Sequence, residues 1–263
     1  MSEQSNMSFL QHLEELRWRL VRSAIAVVIF AIIIWIYQEE IINSVFLSMK
    51  DKDFVTFRML CYFFGVCIEE IPVKMQSTTM AGQFSYALMM SMVGGVVIAF
   101  PYIFYQLWSF IKPGLKFKEK KMARGIVIYV SLLFFTGILF GYFVVAPLSV
   151  QFFGSYQMSK EIENIFTISS YMSTIISTVF YTGLFFLLPV VTYFLTKIGL
   201  FDSAFLKKYR KHAVVVILVL AAIITPPDIL SQVIVSIPIL LLYEIGIIVA
   251  KRVEKNQEKE SNS

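Results

Sequence analysis

The chain has 263 residues, 57% of them hydrophobic and 16% charged, with a formal net charge of +5 and a mean hydropathy of +0.72. That composition excludes an ordinary soluble domain and a disordered chain, and it places the protein in a bilayer. The charges are bunched, so the stretches between Lys74 and Lys112, Arg124 and Lys160, and Glu163 and Lys197 carry none. Each gap exceeds the roughly 20 apolar residues that cross a hydrocarbon core about 30 Å thick. Nucleic-acid binding is a poor use of the surplus positive charge, which loop asymmetry explains better.

In chain order, residues 1–20 carry Glu3, Glu14, Glu15, Arg17 and Arg19 and show no small-residue cleavage site, so the first apolar segment is expected to be retained. Ser8 and Gln11 have capping-box spacing, and Phe9, Leu13, Leu16 and Leu20 share one helical face. Glu15 lies opposite with Gln11, Arg19 and Arg22. On chemistry alone this is a solvated face, with a Glu15–Arg19 pair worth a few tenths of a kcal/mol.

The apolar runs predict an all-α polytopic membrane protein with six transmembrane helices, near residues 20–38, 84–110, 125–147, 168–196, 213–225 and 229–250. The last two are expected to be short. Residues 213–225 give only about 20 Å of helix at 1.5 Å per residue, and Pro226, Pro227 and Asp228 then force a turn. Pro238 and Glu244 interrupt the final run, and the hairpin should thin the bilayer locally. Residues 1–252 read as one membrane domain, and residues 253–263 as a disordered cytoplasmic tail.

Six spans put both termini on one side. The termini and the loops sharing their side carry 18 basic and 8 acidic side chains, against 5 and 9 in the other set. The positive-inside rule therefore places both termini in the cytoplasm. No internal repeat suggests an inverted-repeat transporter.

The outer loop at residues 39–83 holds an apolar, aromatic stretch from Phe54 to Phe64 and both cysteines, Cys61 and Cys67. An oxidising outer compartment allows a disulfide between them. Their spacing suits an irregular loop rather than a continuous helix, and two free buried thiols stay open as the alternative. It matches no zinc motif.

The run Tyr105-Gln106-Leu107-Trp108-Ser109-Phe110 closes the second span as an aromatic belt, and Lys112-Pro113-Gly114 turns the chain. Glu119 follows among Lys116, Lys118, Lys120 and Lys121, where local charge neutralisation is the plain reading. At the last turn, Asp228 is suited to cap the final helix and equally to a functional role. Thr225 and Gln232 can hydrogen-bond a neighbouring helix. Glu244 falls about 24 Å further along that helix, at a depth where a carboxylate is usually paired or faces a cavity.

Three segments together, His12-Leu13-Glu14-Glu15-Leu16-Arg17-Trp18-Arg19-Leu20, Phe110-Ile111-Lys112-Pro113-Gly114-Leu115 with Glu119 following, and Thr225-Pro226-Pro227-Asp228-Ile229-Leu230-Ser231-Gln232, resemble the signature segments of TatC, the multispanning core of the twin-arginine protein translocase. The resemblance runs in order from about Phe9 to Arg252. It implies a cytoplasmic receptor for the twin-arginine signal peptides of folded cargo, in the cytoplasmic (inner) membrane of a prokaryote. The implied partners are small single-span TatA/TatB-type subunits, further copies of the chain and the lipid bilayer. No cofactor or metal is implied, and any work would draw on the proton gradient.

By that resemblance Glu15 and Glu119 are the signal-binding carboxylates. Phe110 and Pro113 shape the adjoining loop, with Leu16 and Arg17 in the same set. Thr225, Pro226, Asp228, Gln232 and Glu244 mark the surface where the single-span partners dock. The sequence departs from the family at Leu187, where a Glu or Gln commonly precedes Pro189, and in Ser44–Ser48, where a proline is commonly found.

Arginine suits the implied recognition because its planar fork pairs bidentately with carboxylate, which an ammonium cannot reproduce. Two adjacent arginines on an extended peptide point to opposite faces, so two carboxylates on separate elements are needed. Enzyme readings find no HExxH, G-x-S-x-G or Walker sequence, and His12 and His212 lie 200 residues apart. A small-solute or ion transporter is the alternative, and it predicts polar groups converging at mid-membrane. A purely structural scaffold would leave the three segments without a role.

Overall fold

A computed structural model describes residues 9–65, 67, 74–111, 123–159, 164–224 and 229–261. Its helices, in chain order, are α1 (Phe9–Ile36), α2 (Gln38–Ile41), α3 (Val55–Phe64), α4 (Gly82–Ile111), α5 (Ala123–Phe140), α6 (Ala146–Ser155), α7 (Ile168–Phe185), α8 (Leu188–Lys197), α9 (Ser203–Lys208), α10 (Arg210–Ile224) and α11 (Ile229–Ser261). Two three-residue strands, β1 (Lys74–Gln76) and β2 (Ile165–Thr167), pair in parallel, with Lys74 opposite Ile165. A π-helical turn at Gly141–Val145 joins α5 to α6. Ser8 and its cap lie outside the described residues.

Among the described residues five stretches are long and apolar enough to cross a membrane: His12–Ile36, Gly82–Ile111, Gly125–Ser155, Ile168–Lys197 and Gln232–Glu258. They form because only helix satisfies every backbone donor and acceptor inside hydrocarbon. At 15 residues, α10 falls short of that length, as its brief apolar run predicts.

The chain divides into two compact units. The first comprises residues 1–39 and 87–132. Here α1 and α4 lie antiparallel at very close range. A Cβ on Gly95 would stand 2.7 Å from the Val27 carbonyl oxygen and 2.9 Å from the Ala31 nitrogen, and one on Gly94 would meet Ile34 Cδ1 at 2.7 Å. Paired glycines thus let the two backbones touch, the small-residue device that replaces hydrophobic drive between helices in lipid.

The second unit comprises residues 40–86 and 133–263. The same device joins the third span to α7, since a Cβ on Gly137 would meet Gly183 Cα at 2.9 Å and one on Gly141 would meet Val179 Cα at 3.0 Å. Thr167 caps α7 by accepting from the Ser170 amide at 3.1 Å. Between α7 and α8 the ladder breaks at Phe186 and Leu187, because Pro189 brings no donor. Leu187, the departure from the family pattern, sits in that turn. Helix α11 packs along α8, and α10 packs against α11 through a core of Ile217, Ala221, Val235, Ile239 and Tyr243.

Two expectations need correction. The final helix is not short: α11 runs unbroken for 33 residues through Pro238. Nor is the tail from residue 253 disordered, because helix continues to Ser261, Val253 is buried, Ser203 Oγ donates to Glu254 Oε2 at 2.6 Å and Gln257 Nε2 donates to the Lys197 carbonyl at 3.0 Å. Polar composition reads as disorder unless the polar groups have tertiary partners, and here they do.

The connection between the first two spans holds a further helix, α3, with Phe57 1% exposed on its inner side. Gly65 ends it at φ 68, a left-handed reversal that glycine adopts freely. That reversal returns the chain onto the last helical turn, and Cys61 and Cys67 form a disulfide with their Cα atoms 4.3 Å apart.

Candidate functional site

Glu15 sits in the second turn of α1, its side chain 25% exposed. Arg19, one turn on, grips a single carboxylate oxygen: Nε donates to Oε1 at 3.0 Å and Nη2 donates to the same atom. Arg19 Nη1 reaches across to α4 and donates to Gln106 Oε1 at 3.3 Å, while Gln106 Nε2 donates to Tyr102 Oη at 2.7 Å. The other carboxylate oxygen, Glu15 Oε2, is buried and has no hydrogen-bond partner among the described residues. A desolvated, unpaired carboxylate oxygen is costly, and it is a ready acceptor for an arriving guanidinium.

Phe110 stacks on His12, ring centroids 4.2 Å apart and planes 16° from parallel. This contact and the Arg19–Gln106 bond fasten the first turns of α1 to the last turns of α4. Leu16 is half-buried and Arg17 exposed beside Glu15. Pro113 and Glu119 lie outside the described residues, as do Thr225, Pro226 and Asp228. The sequence reading passed over Gln106 as part of an aromatic belt. Its signal was available, since it is the one amide side chain between Phe84 and Ile111 and is 5% exposed, and a buried polar group in a span calls for a named partner.

In the second unit, Gln232 Nε2 donates to the Leu218 carbonyl of α10 at 3.0 Å, so this amide ties α11 to α10. Glu244 pairs with Arg210 at 2.7 Å, both side chains about half exposed. Tyr243 Oη donates to the Leu206 carbonyl at 2.8 Å. Arg210 as partner was not legible, because 34 residues separate it from Glu244. Outward on α11 stand Val233, Ile237 and Leu241, 45%, 53% and 61% exposed at i, i+4, i+8 spacing. Among the described residues no group of three or more His, Cys, Asp or Glu is placed to hold a metal ion.

Five long apolar helices, glycine-mediated helix contacts and charges concentrated at helix ends define a polytopic α-helical membrane protein. The family model described as Sec-independent protein translocase protein (TatC) matches residues 11–238. The chain is 38% identical over 269 aligned positions to the Sec-independent protein translocase protein TatC of Blattabacterium sp. subsp. Periplaneta americana, covering 97% of this chain and 99% of that one. It is 32% identical to TatCy of Bacillus subtilis (strain 168), over 98% of this chain and 94% of the relative. A crystal structure of the twin arginine translocase receptor TatC superposes with a TM-score of 0.71 at 30% identity, covering 92% of this chain and 99% of that one.

The chain therefore belongs to the TatC family. It is a prokaryotic membrane protein and a component of a protein translocase, a transport role with no catalytic activity indicated, and the small-solute transporter reading is not favoured.

Proposed function

We propose that this chain is the receptor for twin-arginine signal peptides and the core of a translocase that exports folded proteins across the cytoplasmic membrane. The observation that carries the reading is Glu15. Arg19 occupies one of its oxygens and leaves the other buried, acceptor-only and without a partner among the described residues. That arrangement suits a planar guanidinium on an incoming peptide better than a compact ammonium. By family resemblance Glu119 is assigned as the second carboxylate, with Phe110, Pro113, Leu16 and Arg17 in the same recognition set. With α10 counted as a short fifth crossing, the chain has six spans and both termini in the cytoplasm, in keeping with its Lys and Arg distribution.

TatA/TatB-type single-span helices dock on the α10–α11 surface marked by Thr225, Pro226, Asp228, Gln232 and Glu244. The Val233–Ile237–Leu241 ridge provides the apolar part of that surface. The Gln232 amide is already committed to Leu218, so packing rather than this amide supplies the contact.

The test is binding of a labelled signal peptide to the full chain in nanodiscs. A peptide bearing two arginines binds, and its two-lysine counterpart binds at least tenfold more weakly, the order of one charged hydrogen bond. Equal binding of the two peptides, or of neither, removes the receptor reading.

A further inference from the structure

Helix α3 is apolar on two faces. Phe54 and Phe57 point inward, 8% and 1% exposed. Val55, Met59, Tyr62 and Phe63 point outward, 46%, 56%, 84% and 69% exposed, with Arg58 on the same side. Their i, i+4, i+7, i+8 spacing makes one continuous stripe along the helix. A shallow groove opens among Val55, Arg58, Met59, Cys61, Tyr62 and Phe63. Arg58 forms no salt bridge among the described residues. Water is a poor neighbour for four large apolar side chains in one stripe.

The position of this stripe along the third span is set by contacts within its own unit. Thr56 Oγ1 donates to the Phe143 carbonyl, the Phe54 and Phe143 rings stack 6.1 Å apart, and Tyr142 Oη donates to the Val45 carbonyl at 3.0 Å. Phe143 lies about 18 residues, or roughly 27 Å of rise, along the span that starts at Gly125. A hydrocarbon core is about 30 Å thick, so α3 starts near its far boundary. Asp51, Lys52 and Asp53, all exposed, directly precede it and must lie in the headgroup layer or water. An apolar and aromatic face with one arginine, held at that level, has the composition of an interfacial helix.

We propose that α3 is a membrane-surface anchor: its Val55–Met59–Tyr62–Phe63 face lies in the headgroup–acyl boundary of the leaflet at the far end of the third span, and Arg58 pairs with a phospholipid phosphate. Arginine at this level lays its stem along apolar surface and keeps its fork among phosphates. The Cys61–Cys67 bridge holds the end of the helix, which carries Tyr62 and Phe63. The anchor is independent of the receptor reading, because no residue of the Glu15 site takes part in it.

The experiment uses the full chain in nanodiscs of phosphatidylethanolamine and phosphatidylglycerol, without signal peptide. Phe63→Trp and, separately, Tyr62→Trp add emission to that of the three native tryptophans, and both positions are exposed enough to accept the ring without repacking. Lipids brominated near the glycerol ester should remove most of the added emission, lipids brominated near the chain methyl should remove less, and aqueous iodide should leave it largely intact. Arg58→Glu, which turns attraction to phosphate into repulsion, should shift the Phe63→Trp signal from bromolipid towards iodide quenching. Strong iodide quenching with none from bromolipids would put α3 in water and overturn the anchor. Protection from both quenchers would mean that protein covers the stripe, which overturns it equally. Unchanged quenching in Arg58→Glu would remove the phosphate contact from the proposal.

Discussion

Glu15→Gln removes one charge and almost no volume, so it isolates the electrostatic part of the proposed recognition. Arg19 takes Oε1 and can still donate to the glutamine carbonyl oxygen. The buried Oε2, without a partner among the described residues, becomes an amide nitrogen, which presents a donor to the donors of an arriving guanidinium. A charge-assisted hydrogen bond of this kind contributes about 1.5 to 3 kcal/mol, or roughly 10- to 150-fold in affinity. Because Glu15 and Arg19 keep 25% and 21% exposure, water screens the pair and the loss should fall at the lower end, about tenfold. The assay is fluorescence anisotropy of a labelled twin-arginine peptide titrated with the chain in nanodiscs, beside a thermal melt. The melt should barely move, since an i,i+4 helix pair is worth only a few tenths of a kcal/mol. Wild-type affinity in Glu15→Gln would refute the reasoning, and so would an affinity loss that merely follows a lower melting point.

Gly95→Leu drives a side chain into the Val27 and Ala31 backbone and should destabilise the α1–α4 pair by about 1 to 3 kcal/mol, read as a lower melting temperature and reduced folded yield. Gln232→Leu loses the bond to the Leu218 carbonyl and should cost about 0.6 kcal/mol of stability, with partner crosslinking falling no further than folded yield. A double-mutant cycle on Arg210 and Glu244 should give a coupling of about 0.2 to 1 kcal/mol, because both side chains are about half exposed. Cys61→Ser should lower stability by about 2 kcal/mol, the loop-closure value for so short a ring, and should leave twin-arginine binding unchanged in the same anisotropy titration.

The long helices were legible because charges end them: Lys74 and Lys112 bracket α4, and Glu163 and Lys197 bracket α7 with α8. Within α3 the reading failed, since a segment apolar on two faces shows no single period, and only Gly65 marks its end. The helical end of α11 was hidden for the opposite reason. Residues 253–261 are polar in sequence, and their order comes from Ser203 and Lys197, partners more than 50 residues away. At the candidate site the sequence isolated Glu15 and the Glu15–Arg19 pair. It did not bring in Gln106, whose bond to Arg19 exists only because Gly94 and Gly95 let α4 approach α1. Helix contacts made through glycines leave no apolar pattern to read.

The most direct test of the receptor site is to find where the arginines land. A signal peptide with a photoreactive residue next to its arginine pair is bound to the full chain in nanodiscs, irradiated, and the adduct mapped by mass spectrometry. The account predicts adducts within His12–Arg19 and beside Phe110, competed away by unlabelled twin-arginine peptide but not by its twin-lysine version. Adducts confined to α10 and α11, with Glu15→Gln changing neither their site nor their yield, would contradict it.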